Sequence, residues 1–195
     1  MNPKNTLIAA LVAACGIAIA SCVAVNAPGP TAAVAAPGAA KSSLPLPPPS
    51  VKPDKNGKVD LPNDQWAKLL PPAVYNVTRN AGTEAPFSHP YAELHEKGTF
   101  ICADCGLLLF SSETKFDSGT GWPSFWAPIR KTAVTEITDN TLGMSRTEVR
   151  CSRCGAHLGH VFDDGPRPTG LRYCMNGLAL KFIPAEAPKK PAKKS

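Results

Sequence analysis

Arg146-Thr147-Glu148-Val149-Arg150-Cys151-Ser152-Arg153-Cys154-Gly155-Ala156-His157-Leu158-Gly159-His160 joins a short extended run to a C-x-x-C-Gly unit and then to two histidines. The unit has a second copy upstream, Cys102-Ala103-Asp104-Cys105-Gly106. At this spacing two thiolates of one tight turn can point at a single ion, with backbone N–H groups facing the sulfurs and Gly taking a turn conformation closed to other residues. Two such turns make a closed tetrahedral four-thiolate site on Cys102, Cys105, Cys151 and Cys154. No coordination position is left open, so the expected Zn2+ is structural. Two disulfides, or a redox pair of the thioredoxin kind, are the competing readings. Duplication of the unit and the lack of a strand-turn-helix pattern around either copy favour zinc.

The 45 residues between the pairs exceed the spacing of a simple zinc ribbon and call for a strand-rich insertion. Runs that suit it are Ala133-Val134-Thr135-Glu136-Ile137 and Arg146-Thr147-Glu148-Val149. Thr99-Phe100-Ile101, Leu107-Leu108-Leu109-Phe110 and Leu178-Ala179-Leu180-Lys181-Phe182 lie outside it, and all five are bounded by Gly, Asp, Asn, Ser or Pro. Helical periodicity is scarce. One short helix is expected at Asp64-Gln65-Trp66-Ala67-Lys68-Leu69-Leu70, with Asp64 as its cap. The fold class that follows is mainly antiparallel β, with one or two short helices near the start of residues 64–184.

Outside those residues the composition changes. Leu7 to Val25 is 19 residues without a charge after a short basic start, an export signal or anchor. Ile19-Ala20-Ser21-Cys22 resembles the lipobox of bacterial lipoproteins, so residues 1–22 are expected to direct export, with lipid on Cys22 and attachment to the periplasmic side of a membrane. Val12-Ala13-Ala14-Cys15 fits the same loose pattern over a shorter apolar core, and an uncleaved helix or ordinary cleavage near Ala27 are the other outcomes. Residues 23–63 hold nine Pro between Val23 and Pro62 and read as a disordered tether. Residues 185–195 form a basic Lys, Pro and Ala tail. Asp64 to Ile183 carries 12 Lys and Arg against 12 Asp and Glu, so the net charge of +6 belongs to the flanks and no nucleic-acid partner is expected.

One domain cysteine remains after the four ligands, Cys174 in Arg172-Tyr173-Cys174-Met175-Asn176. In a strand, Arg172, Cys174 and Asn176 share a face, and a nearby cation favours the nucleophilic thiolate. A lone Cys is also commonly a small buried hydrophobe. His157 and His160 follow the second C-x-x-C directly, so the metal fixes where they point, and imidazole is the side chain suited to donating a proton near neutral pH. Phe116-Asp117-Ser118-Gly119-Thr120-Gly121-Trp122-Pro123-Ser124-Phe125-Trp126 places aromatics on a Gly-rich loop, as an apolar pocket requires, although core packing explains any one of them.

Taken together with Tyr75-Asn76-Val77-Thr78-Arg79 and Gly82-Thr83-Glu84-Ala85-Pro86-Phe87-Ser88, these blocks closely resemble the B-type peptide-methionine (R)-S-oxide reductases, over essentially Asp64 to Ile183. The resemblance implies two antiparallel sheets, a structural zinc on the four cysteines and Cys174 as nucleophile. It also implies Trp122 at the substrate S-methyl, His160 and Asn176 at the sulfoxide oxygen, and His157 and Arg172 beside them. A sulfoxide sulfur is a poor electrophile until its oxygen is protonated, so a thiolate and an acid must act from opposite sides. The products are methionine and a Cys174 sulfenic acid, which an external, thioredoxin-like thiol reduces. Oxidised Met residues in proteins are the implied substrate. An exported zinc-ribbon-like binding module and a thiol-disulfide oxidoreductase remain the rivals.

Overall fold

The computed structural model describes residues 51–186. The expected export segment, residues 23–50 of the expected tether and residues 187–195 of the basic tail lie outside the described residues.

Two short helices open the domain, α1 (Asn63–Leu69) and α2 (Pro72–Asn80). Trp66 of α1 is fully buried, and α2 buries Val74, Val77 and Thr78. Asp64 lies in the first turn of α1 but does not cap it; Pro62 holds the cap position and no side chain bonds there. Pro72 suits the start of α2, where a backbone N–H has no partner to lose.

Nine strands follow: β1 (Gly98–Cys102), β2 (Leu108–Ser111), β3 (Lys115–Phe116), β4 (Ser124–Phe125), β5 (Val134–Asp139), β6 (Arg146–Cys151), β7 (His157–Phe162), β8 (Arg172–Met175) and β9 (Leu180–Pro184). They form two antiparallel sheets, β2-β1-β9 and β3-β4-β8-β7-β6-β5. Aromatic rings join the sheets. Phe100 of β1 and Phe110 of β2 meet Phe125 of β4 at ring centroid distances of 5.0 and 4.5 Å, and Phe110 also meets Tyr173 of β8 at 5.9 Å. Phe125, expected on a pocket-forming loop, is therefore a fully buried strand residue of the core.

Residues 51–62, read from their composition as tether, pack against the domain. Val59 is buried and its N–H donates to the Arg153 carbonyl at 2.9 Å, while Lys58 Nζ reaches the Ser152 carbonyl at 2.6 Å. Val51 and Leu61 also rest on the core. Apolar side chains spaced among the prolines give this stretch something to bury, which a Pro count does not register.

Candidate active site and metal centre

The two C-x-x-C-Gly units form the same turn twice. Gly106 N–H donates to the Cys102 carbonyl and Gly155 N–H to the Cys151 carbonyl, both at 2.9 Å, and both glycines have φ +71°. That left-handed conformation is why Gly follows each pair. The first turn leaves β1 and the second leaves β6, so the cluster clasps one sheet to the other. All four Sγ atoms lie within 4.8 Å of one another and all four residues are buried. Cys102 and Cys154 sulfurs are 3.7 Å apart, those of Cys105 and Cys151 3.6 Å. Sulfurs about 2.3 Å from a tetrahedral ion stand about 3.8 Å apart, whereas a disulfide bond is about 2.05 Å long. The set fits a metal ion. Hydrogen bonds from Cys102, Cys105 and Cys154 hold the Cys151 thiol far below its ordinary range, whereas Cys102 and Cys154 are pushed up, so the thiolate charge rests on Cys151. Arg79 of α2 reaches both turns, at 3.0 Å from the Cys154 carbonyl and 3.6 Å from the buried Asp104 carboxylate.

Cys174 sits mid-strand in β8, with Ser124 of β4 its partner on one side and His160 of β7 its partner on the other. Gly159 allows the β7 approach, since a Cβ there would collide with the Cys174 carbonyl. A cleft of about 150 Å³ opens over this point, lined by Thr83, Trp122, Arg146, Gly159, His160, Phe162, Cys174, Met175 and Asn176. Burial pushes the Cys174 thiol up, opposed by hydrogen bonding from Thr120, by the Arg172 charge and by Ser124. Arg172 stands at the side, its guanidinium paired with both Asp164 oxygens at 2.8 Å and lying 4.5 Å over the Phe162 ring.

Of the residues expected to act, Cys174, His160, Asn176 and Trp122 share this cleft. His157 does not line it. Its Nδ1–H donates to Glu148 at 2.7 Å, its ring centroid is 5.5 Å from that of His160, and burial lowers its pKa. Three partners were not singled out in the sequence. Glu84 N–H donates to Asn176 Oδ1 at 3.1 Å, and the Glu84 carbonyl accepts from Trp122 Nε1 at 3.2 Å. The Glu84 carboxylate takes the N–H groups of Gly177 and Leu178 at 2.6 and 2.9 Å. Glu148 orients His157, and Asp139 accepts from His160 Nε2 at 2.8 Å. The available signal was an acid inside an otherwise strand-like or turn-like run, as at Glu148 in Arg146-Thr147-Glu148-Val149.

Residues 70–184 match the SelR domain model. The chain belongs to the SelR family. Proteins named peptide methionine sulfoxide reductase MsrB are similar to it across nearly their whole length. The one from Leptospira interrogans serogroup Icterohaemorrhagiae serovar Lai is 51% identical over 127 residues, 65% of this chain and 97% of that protein. That of Agrobacterium fabrum is 54% identical over 127 residues, 65% and 94% respectively, and that of Thioalkalivibrio sulfidiphilus is 54% identical over 129 residues, 66% and 93%. Within this SelR-family chain the matched span takes in both cysteine turns and the whole cleft.

Proposed function

We propose that this chain reduces the R epimer of methionine sulfoxide in proteins to methionine, with Cys174 as nucleophile. The observation that carries the reading is the placement of a thiol between an imidazole and a hydroxyl in a cleft walled by Trp122. With the substrate methyl against Trp122, a chiral sulfur that offers its lone-pair face to Cys174 turns its oxygen toward His160 and Asn176 in one epimer only. His160 gives a proton to that oxygen as the Cys174 thiolate supplies two electrons. The S–O bond of the substrate breaks, and the oxygen ends as the hydroxyl of a Cys174 sulfenic acid. Two equivalents of external thiol then restore the Cys174 thiol, release water and leave as a disulfide. Zinc on Cys102, Cys105, Cys151 and Cys154 supplies a rigid link between the sheets and takes no part in the chemistry.

Turnover of R- and S-sulfoxide peptides with dithiothreitol tests this. The R peptide is expected to be consumed and the S peptide spared, and Cys174→Ser to lose at least about 1,000-fold in rate. Equal use of both epimers, or activity surviving in Cys174→Ser, sinks the assignment.

For location, we propose export and acylation on Cys22, supported by the charge-free run and the lipobox-like Ile19-Ala20-Ser21-Cys22. Mass spectrometry of the mature N-terminus is expected to find lipidated Cys22; a free N-terminus at Pro28 refutes it.

A further inference from the structure

The two histidines of β7 are each held by a carboxylate, through different nitrogens. Glu148 takes Nδ1–H of His157, outside the cleft, and is itself engaged by Arg150 at 2.8 Å on each oxygen. Asp139 takes Nε2–H of His160, whose ring lines the cleft. Asp139 ends β5 at the mouth of the β5–β6 hairpin, directly opposite Arg146 in the ladder. Its carboxylate is built in independently of the histidine. Thr141 N–H and Oγ1–H donate to Oδ1 at 2.9 and 2.7 Å, and Arg146 donates to Oδ2 at 2.7 Å, leaving His160 as the fourth donor. Those bonds, led by the ones from Thr141, hold the carboxyl well below the usual range, so it is an anion throughout working pH.

We propose that Asp139 is the positioning residue of the proton-donating His160, committing Nε2–H to the carboxylate so that Nδ1 serves the cleft. This rests on the sulfoxide-reductase reading above. The proton leaves Nδ1 of the imidazolium for the sulfoxide oxygen and becomes the hydrogen of the sulfenic acid. The ring is left neutral with Nε2–H still on Asp139, so it need not turn over during the step. The charged and titratable groups around the ring are Asp139 of β5, Arg146 and Glu148 of β6, His157 of β7, and Cys174 and Arg172 of β8. Arg146 and His160 share Oδ2, so without the carboxylate the ring faces the Arg146 cation alone. Arg150 and Asp164 engage the outer members, Glu148 and Arg172.

The test uses steady-state kinetics on an R-sulfoxide peptide across pH. Asp139→Asn is expected to lower kcat about 10- to 100-fold with KM within about threefold, and to move the basic limb of the kcat profile to lower pH. In a His160→Gln background the same substitution is expected to add no further loss, because its effect passes through that ring. Thr141→Ala takes one donor from Oδ1 but leaves the carboxylate on His160, and is expected to keep kcat within about threefold. Asp139→Glu, which preserves the charge on the hairpin should Asn unfold it, is expected to lose kcat while retaining the limb. Equal losses from Asp139→Asn with and without His160, or an unmoved limb, overturn the inference while wild-type turnover keeps the reductase reading standing. No turnover by the wild type removes both.

Discussion

Cys174 shows how one residue's environment sets a pH dependence. Burial makes its thiolate costly, and Thr120, Arg172 and Ser124 recover part of that cost. Removing the charge while keeping the length, Arg172→Met, leaves burial less opposed and pushes the thiol further up. Less thiolate exists at any given pH, so the alkylation rate by iodoacetamide is expected to rise with pH along a limb shifted upward. Turnover below that limb is expected to drop about tenfold. An unshifted limb contradicts the role given to Arg172. The thiol and the imidazoles stood out by type and spacing, while the roles expected of them and of Trp122 came from the family resemblance. The carboxylate partners of the imidazoles did not stand out, because an acid at the end of β5 or inside β6 looks in sequence like any solvated strand residue. Only the pairing of Asp139 with Arg146 and of Glu148 with His160 in the ladders turns them toward the histidines.

At the scale of elements, β1, β2, β5, β6 and β9 could be located because their apolar or β-branched runs end in turn residues. β7 was harder to see. His157-Leu158-Gly159-His160-Val161-Phe162 puts a glycine and two histidines where a strand pattern asks for apolar alternation, and the glycine is there for the contact with β8. α2 was allowed for as a second short helix but not located, since nine residues beginning at a proline offer too few turns for a periodicity to stand out. The cysteine turns were legible down to the conformation of their glycines. They also carry the heaviest structural consequence, since one turn hangs from each sheet. With zinc bound, the domain is expected to contain one ion per chain. Chelation is expected to unfold it, as apparent binding free energies of structural zinc reach about 10 kcal/mol or more. Cys105→Ser is expected to behave as a folding variant, with metal content, melting and turnover falling together. A metal-free Cys105→Ser protein with unchanged melting and turnover contradicts the assignment.

Over the whole molecule the cysteines can be followed one by one. Four lie in the buried cluster, and Cys15 and Cys22 stand in the proposed export segment, leaving Cys174 as the proposed reacting thiol of the domain. The resemblance to the B-type reductases implies, for part of that family, a resolving Cys at the position occupied here by Thr120. Thr120 Oγ1 lies 3.9 Å from Cys174 Sγ, so the place is occupied, but by a hydroxyl that cannot form a disulfide. Ser118 and Ser124 continue it as a chain of hydroxyls, at 2.8 Å from Thr120 to Ser118 and 2.8 Å from Ser118 to Ser124. Such a chain can solvate a thiolate or a sulfenate but cannot reduce one. Without reductant, a single turnover is therefore expected to release one methionine per enzyme and leave Cys174 as a dimedone-reactive sulfenic acid rather than in an internal disulfide. Thr120→Cys is expected to convert that product into an internal disulfide, since the new thiol stands within reach of Cys174. Peptide mapping that instead links Cys174 to Cys102, Cys105, Cys151 or Cys154 in the unaltered protein overturns both the one-cysteine cycle and the purely structural role of the cluster.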